Sequence, residues 1–138
     1  MTDSLADAAM AQRPRMREDY QIGVICALAT ENAAIVAMLD ETHPKLKKEE
    51  GDDNEYTLGR IGVHDIVIAC LPAGFMGNGA AAMVAKDMQR SFPIEFGLMM
   101  GVGGGVWSKE YDIRLGDVVV SELSDTLCKG RHQVDGRG

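Results

Sequence analysis

The sequence predicts an α/β domain with a sheet of mixed strand direction and helices between its strands. Residues 22–28 and 96–102 form nearly continuous apolar runs, as expected of strands that helices cover on both faces. Helical patterns separate the predicted strands along the chain. Many of the sixteen glycines lie between Gly74 and Gly105, which indicates tight turns between strands and helices.

The first strand, residues 22–28, leads directly into a helix. Thr30 is a suitable capping residue, and Glu31 lies in the first turn, where a carboxylate suits the helix dipole. Small apolar residues at 33–39 continue the helix as far as about Asp40. Residues 41–54 are rich in charge, and we expect a solvated loop there.

Two further strands, residues 56–61 and 64–71, are separated by a short connection and predict a hairpin. A glycine-rich loop then leads into an alanine-rich helix over about 79–90, which ends before Pro93. A strand at 117–121 follows the buried run at 96–102.

The chain has 138 residues, enough for one compact domain. Residues 1–18 are polar and without sustained period, so we expect a disordered tail. The domain itself is predicted over 19–121. Residues 122–138 lose the apolar period and are expected to form an irregular tail.

Charge and composition argue against several classes of function. The formal net charge is -7 with no dense run of Lys and Arg, which disfavours nucleic-acid binding. The first residues do not resemble a signal peptide, and no stretch approaches the roughly 20 apolar residues of a membrane span. We therefore expect a soluble, cytoplasmic protein that contacts neither nucleic acid nor membrane.

Cysteine and histidine give no sign of a metal site. The three cysteines are isolated and lack the spacing of zinc ligands, which suits a reducing compartment, and the two inside apolar runs, Cys26 and Cys70, are most simply buried apolar residues. The histidines share no ligand spacing, and solvated loop or hairpin positions account for them. These residues are Cys26, Cys70, Cys128, His43, His64 and His132.

Two phosphate-binding motifs are absent. The dinucleotide fingerprint requires G-x-G-x-x-G after the first strand, but that strand ends in CALATE. The P-loop requires Gly-Lys followed by Ser or Thr, a combination that the sequence lacks. Glycine turns instead follow the predicted strands, where α/β sheets bind ligands. From glycine content alone, ligand binding and simple tight crossovers remain equally acceptable interpretations.

Four segments, in order, resemble the purine nucleoside/uridine phosphorylase superfamily: IGVICALATE, LPAGFMGNGAAAMVA, FGLMMGVGGGV and IRLGDVVVSE. The likeness is greatest to the domains that open fungal multidomain NTPase receptors, which are fused to NTPase and repeat domains. The resemblance implies a three-layer α/β/α fold with a mixed central sheet. It also implies cleavage of the N-glycosidic bond of purine nucleosides, by phosphate or by water, with no cofactor or metal.

The resemblance assigns roles to residues in the first two turns. Glu31 matches a glutamate that activates the attacking water, for which a carboxylate acting as general base is suitable. The structural alternative is a glutamate that satisfies unpaired N–H groups at the helix start. Gly74, Gly77 and Asn78 match a loop beside ribose or phosphate, although Asn78 is equally acceptable as a solvent-facing turn residue.

The third turn, Gly101, Val102, Gly103 and Gly104, matches a segment that lines the base and ribose. Val102 stands where many relatives have a phosphate-binding serine, and Met99 where hexameric phosphorylases have an arginine. Without that hydroxyl and that cation, inorganic phosphate is disfavoured as a co-substrate and water is the better nucleophile. Arg60, Lys109 and Arg114 are expected to be surface charges, Trp107 a packing residue, and Asp117 a structural residue of its turn.

Members of the superfamily continue beyond the VVVS strand with a Met-Glu pair for ribose and a late Ser-Asp segment for the base. Neither follows Ser121. We therefore expect an apparently truncated domain whose site is incomplete. Its uncovered apolar faces would allow the chain to associate into a homo-oligomer. The alternatives are a non-catalytic sensor or interaction module and a truncated gene product.

Overall fold

The computed structural model describes residues 13–120 and 132–134 of the chain. The chain divides into two compact units, Met1–Val102 and Gly103–Gly138. In the first unit a 3₁₀ turn, Arg17–Asp19, precedes five strands and two helices: β1 (Ile22–Cys26), α1 (Ala29–Ala37), β2 (Glu41–His43), β3 (Tyr56–Ile61), β4 (His64–Cys70), α2 (Asn78–Ser91) and β5 (Phe96–Met99). The second unit contains β6 (Val118–Val120) and β7 (His132–Val134).

The first unit has one mixed sheet of five strands in the order β2-β3-β4-β1-β5. Strands β4, β1 and β5 run parallel to one another, whereas β3 is antiparallel to both β2 and β4. The predicted α/β class, the mixed sheet and the hairpin are therefore confirmed. The hairpin turns between Ile61 and His64, which are register partners, and Gly62 has a φ of 59° that suits glycine.

The two helices pack on opposite faces of the sheet. Val67 and Ala69 of β4 share a core cluster with Val84 and Met88 of α2. The alternating residues of β4, such as Ile68, pack in a second cluster with Ile35 of α1. Because successive side chains of a strand point to opposite faces, the apolar run of β4 supplies both clusters.

The short strand β2 corrects the prediction of a solvated loop over 41–54. β2 pairs with β3 at the edge of the sheet, where Glu41 lies opposite Arg60 and forms an ion pair with it at 3.2 Å. Charged residues are common on edge strands because they discourage pairing with other chains. The polar composition of residues 41–54 therefore led to the prediction of a loop where a short edge strand is present.

Element boundaries also differ from the predictions. β1 ends at Cys26 rather than at 28, so helix α1 begins at Ala29 with Leu28 as its N-cap, and Thr30 does not cap it. Strand β5 ends at Met99 rather than at 102. Both strands end earlier than predicted because the apolar run of the sequence continues for a few residues beyond the last residue that pairs with a neighbouring strand.

Both expected tails contain some local structure where they are described. The 3₁₀ turn lies at the end of the predicted N-terminal tail, and there Asp19 pairs with Arg13. β7, within the expected irregular tail, pairs antiparallel with β6. Residues 1–12 lie outside the described residues.

In the described part of the chain, none of the helices combines the length and the apolar character needed to cross a membrane.

Candidate functional site

Three loops of the first unit leave the sheet at the end where β4, β1 and β5 finish, which we call the carboxyl end of the sheet. Ala27 and Leu28 follow β1, the glycine loop follows β4, and Gly101 follows β5 soon after Met99. Because these three strands are parallel neighbours, their loops emerge side by side. Ligands of open α/β sheets bind at this end.

Glu31 connects two of these loops through its carboxylate. Oε2 accepts hydrogen bonds from the backbone N–H groups of Ala27 and Leu28, both at 3.0 Å. Oε1 accepts a hydrogen bond from the backbone N–H of Val102 at 2.9 Å. The residue is only 8 % exposed. Glu31 thus holds the turn after β1 and the turn after β5 in fixed positions.

The position of Glu31 in helix α1 explains part of this arrangement. Glu31 is the third residue of the helix, and its side chain reaches back to the N–H of the N-cap residue, Leu28. This is the glutamate half of a capping box. The structural role expected for a glutamate at a helix start is therefore present, and the bond to Val102 is additional to it.

These contacts keep Glu31 ionised. Hydrogen bonds from the backbone N–H groups of Val102 and Leu28, and to a lesser extent of Ala27, lower the pKa of the Glu31 carboxyl below its ordinary value, against the opposing effect of burial. A carboxylate oxygen has two lone pairs, so Oε1 retains one acceptor position beside its bond to Val102. A water or a ligand hydroxyl could donate to that position.

The turn after β5 approaches Glu31 closely. A Cβ built on Gly101 would lie 3.0 Å from Glu31 Oε1, so the absence of a side chain lets the backbone come within hydrogen-bonding distance. The side chain of Val102 is 81 % exposed, and its backbone N–H makes the contact. Val102 therefore contributes to the site through its backbone N–H. From the sequence we considered only its side chain, which stands in place of a phosphate-binding serine.

The glycine loop after β4 adopts conformations that require glycine. Gly74 and Gly77 have φ values of 85° and 92°, in the left-handed region. Gly77 is the N-cap of α2, and Asn78 is the first residue of that helix and is exposed. The loop lies at the carboxyl end of the sheet with Glu31, although no hydrogen bond joins Asn78 to Glu31 among the bonds described.

The remaining predicted residues belong to the second unit. Gly103 and Gly104 are exposed, and a Cβ on either would meet nothing within 4 Å. Trp107 is 63 % exposed, which differs from the packing position that we expected for it. Asp117 accepts a hydrogen bond from the N–H of Arg114 at 2.8 Å, in agreement with a structural role in its turn.

His43 corrects the prediction of a solvated position. It is buried, and a hydrogen bond of 2.8 Å joins its Nδ1 to the hydroxyl of Tyr20. Its Nε2 lies 4.0 Å from Oδ1 of Asp65, and both of these atoms are buried without a hydrogen-bond partner. No sequence signal indicated the contact between Tyr20 and His43, because these residues come together only when β2 joins the sheet.

An apolar groove of about 300 Å³ lies between α2 and strands β1 and β5. Its walls include Ile25, Ala85 and Leu98, and it contains no ionisable side chain. The groove therefore offers packing surface but no acid or base. Within residues 13–120 and 132–134, no group of three or more His, Cys, Asp or Glu side chains is arranged to hold a metal ion.

Comparison with known proteins gives one clear similarity. The chain is 49 % identical over 117 residues, 83 % of its length, to a nucleotide-binding leucine-rich repeat (NLR)-like protein of Hyaloscypha variabilis. The chain spans 12 % of the length of that fungal relative, in keeping with the expectation that relatives carry further domains. No family profile matches the chain. No solved structure matches it either.

Proposed function

We propose that this chain forms part of a nucleoside phosphorylase/nucleosidase-type domain that binds purine nucleosides at the carboxyl end of its sheet and acts on their N-glycosidic bond. One helix packs on each face of the sheet, and we propose that this arrangement is part of the three-layer fold of that superfamily. Its partner is a small-molecule nucleoside, and water is preferred to phosphate as the nucleophile.

The position of the Glu31 carboxylate is the observation that carries the proposal. An ionised, largely buried carboxylate lies between two loops at the end of the sheet where ligands bind. Its remaining acceptor position on Oε1 is suited to orienting a water for attack on an anomeric carbon. The amides of Ala27 and Val102 fix the carboxylate, so such a water would be held in one place.

A second candidate function is a nucleoside sensor that binds without turnover. The same hydrogen bonds favour it, because they lower the pKa of Glu31 and make the carboxylate a weaker base. The similarity to an NLR-like protein is also compatible with a sensing module.

Binding and turnover, measured on the same preparation, distinguish these functions. Calorimetric titration with adenosine, inosine and methylthioadenosine measures binding, and chromatography of released free base, with and without phosphate, measures turnover. Glu31→Gln tests the carboxylate, and Glu95→Gln is the matched control because exposed Glu95 precedes β5 at the opposite end of the sheet. Thermal unfolding of each variant verifies that it is folded.

For a nucleosidase, we expect turnover without phosphate that falls by at least about 100-fold in Glu31→Gln and is unchanged in Glu95→Gln. Saturable binding without release of base would exclude catalysis by this chain, as expected both for a sensor and for a catalytic site that this chain leaves incomplete. The absence of binding to all three nucleosides by the folded wild-type chain would overturn both functions.

A further inference from the structure

Two cysteines lie side by side where β1 and β4 end. Cys26 is the last residue of β1, Cys70 is the last residue of β4, and the two are register partners in the parallel ladder. Neighbouring strands are about 4.7–4.9 Å apart, and the Cα atoms of disulfides are usually about 4.4–6.8 Å apart. The backbone therefore holds these residues at a separation that a disulfide can span.

The two side chains also share one face of the sheet. Paired residues of adjacent strands point to the same face, and Cys26 and Cys70 both belong to the apolar cluster beneath helix α1. Both are free thiols. The register thus places two reactive groups together that are 44 residues apart in sequence, so the fold and not the local sequence creates the pair.

The thiols differ in their surroundings. Cys26 is fully buried, and its Sγ donates to the carbonyl oxygen of Ala69 at 3.6 Å. Burial raises the pKa of the Cys26 thiol to about 12, with smaller effects from the neighbouring Cys70 and Glu31. Cys70 is half-buried. Cys70 is consequently the thiol that a small oxidant can reach, and Cys26 is the protected thiol behind it.

We propose that Cys26 and Cys70 form a redox-active dithiol, which a low-molecular-weight disulfide such as glutathione disulfide converts into an intrachain disulfide. The thiolate of Cys70 attacks one sulfur of glutathione disulfide, which forms a Cys70–glutathione bond and releases one glutathione thiolate. Cys26 then gives up its proton to the released glutathione thiolate, attacks the Cys70 sulfur and displaces the second glutathione as a thiolate, which takes up the proton that Cys70 lost on ionisation. In total two thiols are oxidised, one disulfide is reduced, and two molecules of glutathione are released.

The bond would join β1 and β4, two of the three strands from which the candidate loops emerge. Ala27, whose N–H binds Glu31, directly follows Cys26, and the glycine loop begins shortly after Cys70. The backbone N–H of Leu71 already donates to the carbonyl oxygen of Cys26 at 2.9 Å. Oxidation therefore fixes the carboxyl end of the sheet covalently, whether or not a nucleoside binds there.

The test uses the full chain with Cys128→Ser, so that only Cys26 and Cys70 remain as thiols. The folded protein is incubated with glutathione disulfide, quenched with acid, treated with N-ethylmaleimide and weighed intact by mass spectrometry. We expect both thiols to disappear together, with a mass loss of two hydrogens and no retained glutathione. Dithiothreitol should restore both thiols.

Two comparisons establish that the folded pair is responsible. Adding Cys26→Ala should leave a persistent glutathione adduct on Cys70, because the resolving thiol is gone. The same protein in denaturant should accumulate glutathione adducts instead of the disulfide, since the strands no longer hold the thiols together. A folded chain that retains both thiols, accumulates stable adducts or forms covalent dimers would overturn the proposal. Because no nucleoside is used, this result is independent of the proposed function.

Discussion

Glu31 and Val102 are joined by a hydrogen bond of 2.9 Å, in which the backbone N–H of Val102 donates to Oε1 of the carboxylate. The two residues are 71 positions apart: Glu31 lies in the first turn of helix α1, whereas Val102 lies in the turn after β5. With the bonds to Ala27 and Leu28, one side chain satisfies three backbone donors. One carboxylate therefore links the turn after β1 to the turn after β5, in addition to the backbone hydrogen bond from Met100 to Ile25.

Replacing that carboxylate should release the turn after β5. In Glu31→Gln, one carboxylate oxygen becomes an NH₂ group that cannot accept a hydrogen bond. We expect the amide of Val102, or those of Ala27 and Leu28, to exchange hydrogen at least about tenfold faster than in the wild type. Amide exchange followed by NMR measures this, with Glu95→Gln as the control. Unchanged exchange at all three amides would show that the carboxylate does not hold the turns.

The same carboxylate should make stability depend on pH. The folded-state pKa of Glu31 is lowered from its ordinary value of 4.5, so folding favours the ionised form. Its contribution is fully present above about pH 4.5 and is lost as the pH falls through the folded-state pKa. The stability difference between wild type and Glu31→Gln should therefore shrink as the pH decreases from 7 to 3. Urea unfolding at several pH values measures it, and a pH-independent difference would contradict the assignment.

Gly101 should not tolerate a side chain, whereas Gly97 should. A Cβ on Gly101 would lie 3.0 Å from Glu31 Oε1, but a Cβ on Gly97 would meet nothing within 4 Å. We expect Gly101→Ala to destabilise the chain by roughly 1–2 kcal/mol, within the usual cost of overpacking. Gly97→Ala should be neutral or stabilise slightly, since alanine restricts the unfolded chain. Equal unfolding midpoints for the two variants would argue against the close approach at Gly101.

The buried pair of Tyr20 and His43 should contribute to stability through β2. In His43→Ala the Tyr20 hydroxyl loses its partner and a cavity forms, at a cost of roughly 2–4 kcal/mol. His64 is exposed in the same sheet, so His64→Ala is the matched control and should change stability by less than about 1 kcal/mol. Denaturant unfolding measures both variants. Comparable losses would contradict the burial of His43.

Much of the fold could be predicted because its signals are local. The two strand-like segments and the short connection between them indicated a hairpin, and β3 and β4 form it. The capping role of Glu31 could also be predicted, since a glutamate in the first turn of a helix can accept from unpaired N–H groups, as it does here from Leu28. Strand β2 could not be predicted, because Glu41 and His43 become part of a sheet only through long-range pairing with β3.

The long-range contacts of Glu31 and of the two cysteines could not be predicted from the sequence. The bond between Glu31 and Val102 uses a backbone N–H, which every residue except proline possesses, so the sequence contains no signal for it. The sequence also contains no signal for the register that pairs Cys26 with Cys70, because each cysteine alone resembles an ordinary buried residue. Both relationships arise from the alignment of strands that are distant in sequence.

The proposed nucleoside site lies beside Glu31, and an NMR titration of the wild-type chain with adenosine measures whether a nucleoside binds there. If it does, the amide signals of Ala27, Leu28 and Val102 will shift with saturation as adenosine is added. The amide of Glu95, at the opposite end of the sheet, will remain unshifted. Signals of these three amides that stay unchanged up to millimolar adenosine, or that move no more than the signal of Glu95, would contradict the proposed site.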